Sequence, residues 1–132
     1  MHKDFADKLV TALRSGNYKQ GIARLRCNDE FCCLGVACEV AGIEAHMVAN
    51  VEDDVIYTYN DRMDVLSDDF LKEIGMNSQD GKLNLSSEEI DYLFVLHVVT
   101  EHIPNTSLAS LNDAGVDFYD IADIIENHWE EL

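Results

Sequence analysis

Proline is almost absent from this chain, whose 132 residues contain one, Pro104. A proline-rich linker between domains is therefore excluded. The sequence also lacks an apolar run long enough to cross a bilayer, and its start, "MHKDFADKLV", lacks the apolar core of a signal peptide. These absences predict a single domain over residues 1–132 that is cytoplasmic and has no membrane contact.

Basic residues are scarce after position 26. Residues 1–26 hold six of the nine lysines and arginines against two acids, a balance of +4, whereas the rest holds three against 24 acids, a balance of −21. A body this acidic repels phosphate, so direct DNA binding is not expected. It would instead attract the basic surface of another protein. An acidic surface that only keeps the protein soluble is the alternative.

Hydrophobic spacing predicts an amphipathic first helix. The segment "DFADKLVTALRSG" places Phe5, Leu9 and Leu13 four residues apart, with Asp4 as the expected N-cap and Gly16 as the stop.

Short strands and two more helices are predicted next. "GIARLRCNDEFCC" predicts two extended pieces around a turn, and "VIYTY" (55–59) has the composition of a strand. "CLGVACEVAG" predicts a helix that ends at Gly42, in which Gly35 indicates a close backbone approach. "SDDFLKEIG" predicts a short helix that begins after Ser67 and ends at Gly75.

The segment "SSEEIDYLFVLHVVTEH" (86–102) is apolar on nearly every side. Ser86 and Glu89 have the spacing of a capping box, which favours a buried helix, although a central strand stays open.

The clearest motif is a C-terminal helical hairpin over residues 108–132. Gly115 is the expected turn and Asp117 the expected N-cap of its second helix. The predicted core consists of Leu108, Leu111, Phe118, Ile121, Ala122, Ile125 and Trp129. Tyr119, Ile124 and a row of polar residues are expected to face outward. From Asp113 onward there are seven acids and no lysine or arginine, which argues against a DNA-reading helix-turn-helix.

Together these patterns predict an α+β fold. It is a helix-dominated single domain with a small antiparallel sheet, whose strands lie near Leu25, Phe31 and Ile56, and with a C-terminal helical hairpin.

The four cysteines permit three interpretations. No CxxC pair is present, so no metal is expected. Cys33, at the first turn of a helix, could be a catalytic thiolate with His97 as its base, giving a hydrolase or transferase. The third interpretation, small buried thiols packed in a core, is favoured, and the chain is more consistent with a non-enzyme than an enzyme.

Three stretches resemble a set of small, uncharacterised bacteriophage and prophage proteins: "ALRSGNYKQ" (12–20), "FCCLGVACEVAG" (31–42) and "LNDAGVDFYDIADIIE" (111–126). Their shared patterns are ALRSGxYxQ, CCLGVxCE and LNDxGxxFxxIADxIE. The resemblance covers the two ends of the chain well and residues 45–105 poorly. It implies a phage-type origin and a role in the host cytoplasm, and it carries no catalytic residues with it.

Charge and resemblance together favour a phage-type interaction protein that binds and inhibits a host or defence protein through a basic surface. It would act as a DNA mimic, in the manner of anti-CRISPR proteins. The expected partner-binding residues are Asp120, Asp123, Glu126, Glu130, Glu52, Asp53 and Asp54.

A module that sequesters a nucleotide-like signal is a further alternative. It would use the basic stretch, with Arg14, Lys19, Arg24 and Arg26 as ligands for phosphate. No cofactor is expected, and the sequence leaves a homodimer open.

Overall fold

The computed structural model describes residues 1–97 and 106–132, and these form six helices and a five-stranded mixed sheet. The α+β fold with a C-terminal helix pair is therefore confirmed. The helices are α1 (Lys3–Arg14), α2 (Cys33–Val40), α3 (Asp68–Ile74), α4 (Ser87–His97), α5 (Leu108–Asp113) and α6 (Phe118–His128). The strands are β1 (Lys19–Gln20), β2 (Arg26–Cys27), β3 (Glu30–Phe31), β4 (Ala45–Val51) and β5 (Asp54–Tyr59). No helix in this part of the chain is long and apolar enough to span a membrane.

The sheet has the order β1-β3-β2-β5-β4. Strands β2, β3, β4 and β5 pair antiparallel, and the short β1 lies parallel to β3. The predicted strands near Leu25, Phe31 and Ile56 are confirmed, while β1 and β4 were not foreseen. β4 forms a hairpin with β5, and Glu52 and Asp53 make its turn with φ of 50° and 74°. β4 is thus the outer strand of the sheet on this side.

The core lies between α1, α2 and the C-terminal helix pair. α1 packs on both α2 and α6 and buries Leu9, Val10 and Leu13 there. Gly35 of α2 confirms the predicted close approach, because a Cβ atom at this position would stand 1.8 Å from the carbonyl oxygen of Leu25. The backbone around β2 therefore fixes where α2 begins.

Three capping predictions have different outcomes. Ser67 and Asp117 cap α3 and α6 as predicted, since their side chains accept hydrogen bonds from the amides of Phe70 and Asp120. Asp4 is not an N-cap, and that prediction is wrong: α1 begins at Lys3 and Asp4 lies inside its first turn. A carboxylate there still interacts favourably with the positive end of the helix dipole.

α4 is a helix as far as His97. Its capping box is present, because the hydroxyl of Ser86 accepts from the amide of Glu89, whose carboxylate accepts from the amide of Ser86. The rest of the predicted segment, residues 98–102, and Pro104 lie outside the described residues. α4 also explains a wrong prediction on the hairpin: Ile124, expected to face outward, is buried and lies beside Leu93 of α4.

Candidate functional site

Cys33 is fully buried and is not placed as a nucleophile. Its thiol donates to the carbonyl oxygen of Leu108 at 3.6 Å, and burial raises its pKa well above the ordinary value. A reactive cysteine needs the opposite, an accessible site that stabilises the thiolate. The side chain of His97, its expected base, lies outside the described residues. Burial of Cys33 therefore favours the packing interpretation, and the hydrolase or transferase alternative stays a prediction.

The other cysteines have structural surroundings too. Cys32 is the N-cap of α2, where its sulfur accepts from the amide of Gly35 at 3.4 Å, and burial raises its pKa to about 11. Cys38 is buried, and only Cys27 is partly exposed. Over the described ranges, no group of three or more potential ligands comes together that could hold a metal ion. The thiols therefore act mainly as small packing and capping groups.

Asn112 joins the three stretches that carried the resemblance. It is fully buried, and its Oδ1 accepts from the amide of Cys33 and from Nε2 of Gln20, both at 3.1 Å. Its Nδ2 donates to the carbonyl oxygen of Gly21 at 2.8 Å. Gln20 in turn accepts from the amide of Phe118. We call Gln20, Cys33, Asn112 and the Phe118 amide the motif junction. Its polar groups satisfy one another, so its role is to hold the fold together.

The basic stretch has carboxylate partners within the chain. Arg14 contacts Asp123 and Glu126 at 2.5 and 2.8 Å, and the hydrogen bond that it donates to Glu126 is the largest cause that raises the pKa of the guanidinium. Lys19 pairs with Glu30 at 3.4 Å.

Arg26 lies over the rings of Phe31 and Tyr57 and is 3.8 Å from Glu39. Arg14, Lys19 and Arg26 thus each have an acidic partner within the chain. These internal ion pairs do not favour the nucleotide-sequestering alternative, which stays a prediction.

Two of the predicted partner-binding residues, Asp120 and Asp123, line a concave surface between α4 and α6. A groove of about 300 Å³ separates these helices. Leu93 and Ile124 form its buried floor, and carboxylates stand on both walls. We call it the acidic groove; its lining residues are Ser86, Glu88, Glu89, Tyr92, Leu93, Asp120, Asp123, Ile124 and Asn127.

Exposed apolar side chains accompany these carboxylates. Tyr92 lines the acidic groove and is 54% exposed, and Val95, one turn further along α4, is largely exposed. Tyr119 of α6 is exposed beside Asp120, as predicted. Large apolar residues with this exposure next to a concave surface are typical of protein interaction sites.

Internal contacts fix the shape of the acidic groove at its two ends. Nε2 of His128 lies 2.6 Å from Glu89, which ties α6 to the start of α4. Burial acts to raise the pKa of Glu89, but hydrogen bonds from the Ser86 amide and from His128 outweigh it and hold that pKa below its usual value. At the opposite wall Arg14 holds Asp123, so part of the acidic charge is already balanced.

The remaining predicted residues lie elsewhere. Glu126 is on the Arg14 side of α6, and Glu130 is exposed beyond the end of that helix. Glu52 and Asp53 form the exposed turn of the β4–β5 hairpin, while Asp54 accepts from the side-chain amide of Asn28 at 2.9 Å. The structure therefore brings Asp120 and Asp123 into the acidic groove and leaves the 52–54 cluster as a separate acidic surface.

A family model described as "Domain of unknown function (DUF8296)" matches residues 1–129. The chain belongs to this family. Searches of curated proteins and of solved structures gave no match. The matched range contains all three stretches that meet at the motif junction, and also the acidic groove.

Sequence reasoning missed Glu88 and Tyr92. These residues are four positions apart and thus share one face of α4, but that face is defined only if the segment is a helix. The capping box at Ser86 was the signal that could have placed them, and the uniform hydrophobicity behind it concealed which side was exposed.

Proposed function

We propose that this protein is an interaction protein that binds a basic protein surface through the acidic groove. One observation carries the proposal: carboxylates from two helices converge on a concave surface beside the half-exposed ring of Tyr92. Lysine and arginine side chains of a partner would meet Glu88, Asp120 and Asp123. An apolar side chain of that partner would pack on Tyr92 above the floor of Leu93 and Ile124.

Charge favours a basic protein over other partners. The net charge of −17 raises the rate at which a basic surface is encountered, and it opposes the approach of nucleic acid. Apolar contact with the ring of Tyr92 would then slow dissociation, because buried aromatic side chains supply much of the energy in protein interfaces.

The partner class that we propose is a host or defence protein whose basic surface normally binds nucleic acid. By occupying that surface, the acidic protein would act as a DNA mimic and inhibitor. This part rests on the resemblance to bacteriophage proteins together with the charge distribution, and the protein would then act in the host cytoplasm.

Charge reversal within the acidic groove tests the proposal. Proteins captured from host lysate by the native chain are compared with those captured by Asp120→Lys/Asp123→Lys. The control is Asp64→Lys/Glu73→Lys, which makes the same change in net charge at exposed positions outside the groove. We expect a partner that is lost with the first variant and kept with the control.

Salt and an apolar variant complete the test. Retention should fall between about 0.15 and 0.5 M salt, because exposed charges are screened at distances beyond roughly 8 Å at the lower concentration. Tyr92→Ala should weaken capture more than Ile22→Ala, which removes an equally exposed apolar side chain elsewhere. A partner retained equally by both charge variants would rule out the acidic groove as its site.

A further inference from the structure

The outer edge of β4 is a second surface that the acidic groove does not explain. β4 is the last strand in the sheet order, so no other strand of the described residues pairs with its outer side. In an antiparallel pair, alternate residues direct their amide and carbonyl groups away from the neighbouring strand. An edge of this kind is a template for one more strand.

Two adjacent apolar side chains are exposed on this strand. Met47 is 67% exposed and Val48 is 53% exposed. The register with β5 shifts between Met47 and Ala49, and Val48 has no partner residue in β5. An irregularity of this kind leaves the extra residue unpaired and disrupts the ladder locally. Both side chains are thus available at the centre of the edge.

Acidic residues flank this apolar centre. Glu44 precedes β4, and Glu52 and Asp53 follow it in the hairpin turn, and all three are exposed. A second copy of the chain is a poor occupant: if two β4 strands paired antiparallel about Val48, Glu44 of one would lie opposite Glu52 of the other. Like charges directly opposite each other destabilise a strand pair, and each chain carries a net charge of −17.

We propose that the outer edge of β4 binds an extended segment of another protein, which adds a strand to the sheet. The complementary segment is apolar at its centre, where it covers Met47 and Val48, and carries lysine or arginine at both ends, opposite Glu44 and the Glu52–Asp53 turn. Backbone hydrogen bonds give affinity in this mode of recognition, and side chains select the segment. The proposal does not depend on the acidic groove.

Three end-capped peptides test it with the intact protein. The probe is Lys-Thr-Val-Thr-Val-Thr-Val-Thr-Lys; one control has glutamate at both ends, and the other has proline in place of the central valine. Binding is followed by fluorescence anisotropy and by NMR shifts of the β4 amides. We expect the probe to bind at least tenfold more tightly than either control, because like charges repel and proline cannot donate a backbone hydrogen bond.

Variants of the protein locate the peptide. Met47→Lys/Val48→Lys should weaken binding of the probe at least tenfold, whereas Ile22→Lys, at a residue 61% exposed elsewhere, should not. No saturable binding of the probe up to millimolar concentration overturns the proposal. So does equal binding of the proline peptide, which would mean attraction by charge alone. A native dimer that Met47→Lys/Val48→Lys dissociates would show that a second copy occupies the edge and would overturn it as well.

Discussion

The motif junction and the acidic groove use polar groups in opposite ways. At the motif junction, Asn112 is fully buried and every one of its hydrogen bonds ends on another part of the chain. In the acidic groove, carboxylates of α4 and α6 line a concave surface beside exposed apolar side chains. Cys33, the candidate nucleophile of the sequence analysis, therefore stabilises the fold together with Asn112. The acidic groove is formed by residues that are less distinctive in the sequence.

This difference means that a family pattern need not mark a binding site. The stretches around Gln20, Cys33 and Asn112 lie far apart in the chain and converge on one side-chain oxygen. Substitution there is expected to act on stability, and substitution in the acidic groove on binding. The predictions below separate these two effects.

The largest effect is expected for Gly35→Ala. The added Cβ would meet the carbonyl oxygen of Leu25, a backbone atom that cannot rotate away, so we expect a loss of about 4 kcal/mol or more in the free energy of unfolding. At Gly42, just after the same helix, an added Cβ would meet no atom within 4 Å. Gly42→Ala should therefore lose only about 1–2 kcal/mol, because its backbone is left-handed. Urea unfolding followed by circular dichroism measures both. Equal losses would mean that α2 does not approach β2 this closely.

Asn112→Ala should be next. It leaves the buried amide of Cys33 and the carbonyl oxygen of Gly21 without their partner, at about 1–3 kcal/mol for each group, so the total is about 2–6 kcal/mol. Asn127→Ala, on the exposed face of α6, should change stability by about 0.5 kcal/mol or less. Thermal unfolding at neutral pH compares them. A junction that mattered for partner binding alone would leave the melting temperature of Asn112→Ala unchanged.

Alkaline pH should destabilise the protein through its buried thiols. Burial raises the pKa of Cys33, so above about pH 8.5 the unfolded chain loses this proton while the folded chain keeps it. Stability then falls as pH rises, by up to about 1.4 kcal/mol per pH unit for each such thiol. Unfolding free energies at pH 8, 9 and 10 should decline less steeply in Cys33→Ala than in the native chain.

Cys27→Ala is the comparison for this pH dependence, because Cys27 is partly exposed whereas Cys33 is fully buried. Burial also raises the pKa of Cys27, so the decline of Cys27→Ala with pH should lie between those of Cys33→Ala and the native chain. If Cys33→Ala and the native chain declined in parallel, Cys33 would be ionised in the folded state, and its assignment as a packing residue would fail.

The smallest effect on stability is expected for Arg14→Ala. The ion pairs of Arg14 with Asp123 and Glu126 are exposed, and exposed pairs contribute little and are screened by salt. The melting temperature should fall slightly at low salt and match the native value in 1 M NaCl. Removing Arg14 also frees two carboxylates, so binding of a basic partner should become tighter.

Lys8→Ala removes the same charge from an exposed position of the same helix and serves as the matched control. Calorimetric titration with the captured partner should show a larger gain in affinity for Arg14→Ala than for Lys8→Ala. Equal gains would assign the effect to net charge, and the acidic groove would lose its special role.

Much of the fold could be predicted from local patterns. Spacing of apolar residues gave α1, α6 and their buried sides, and the caps Ser67 and Asp117 gave the starts of α3 and α6. β4 was not predicted because "AHMVANV" is an edge strand with exposed positions. It therefore lacks the alternation of apolar and polar residues that marks a half-buried strand. Ile124 was misplaced because periodicity describes one helix at a time, and α4 covers the side of α6 that looked exposed.

The candidate site was less predictable than the fold. Asp120 and Asp123 were found from their shared face on α6, but their neighbours Glu88 and Tyr92 come from another helix. The pairing of Arg14 with Asp123 and Glu126 joins residues that no local pattern connects. Long-range contacts of this kind depend on how the helices pack against one another. The spacing of residues within one helix does not determine that packing.

The packing of α1 on α6 delays the completion of the fold while the chain is being synthesised. Arg14 of α1 and Asp123 of α6 are 109 positions apart in the sequence. Because ribosomes add roughly 5–20 residues per second, α1 is synthesised roughly 5–20 s before α6. During that interval the apolar side of α1, with Leu9 and Leu13, lacks the contacts that α6 makes with it. A nascent chain stalled before α6 should therefore be cleaved by protease and bound by chaperones. A chain released after α6 is complete should resist cleavage and should not bind chaperones.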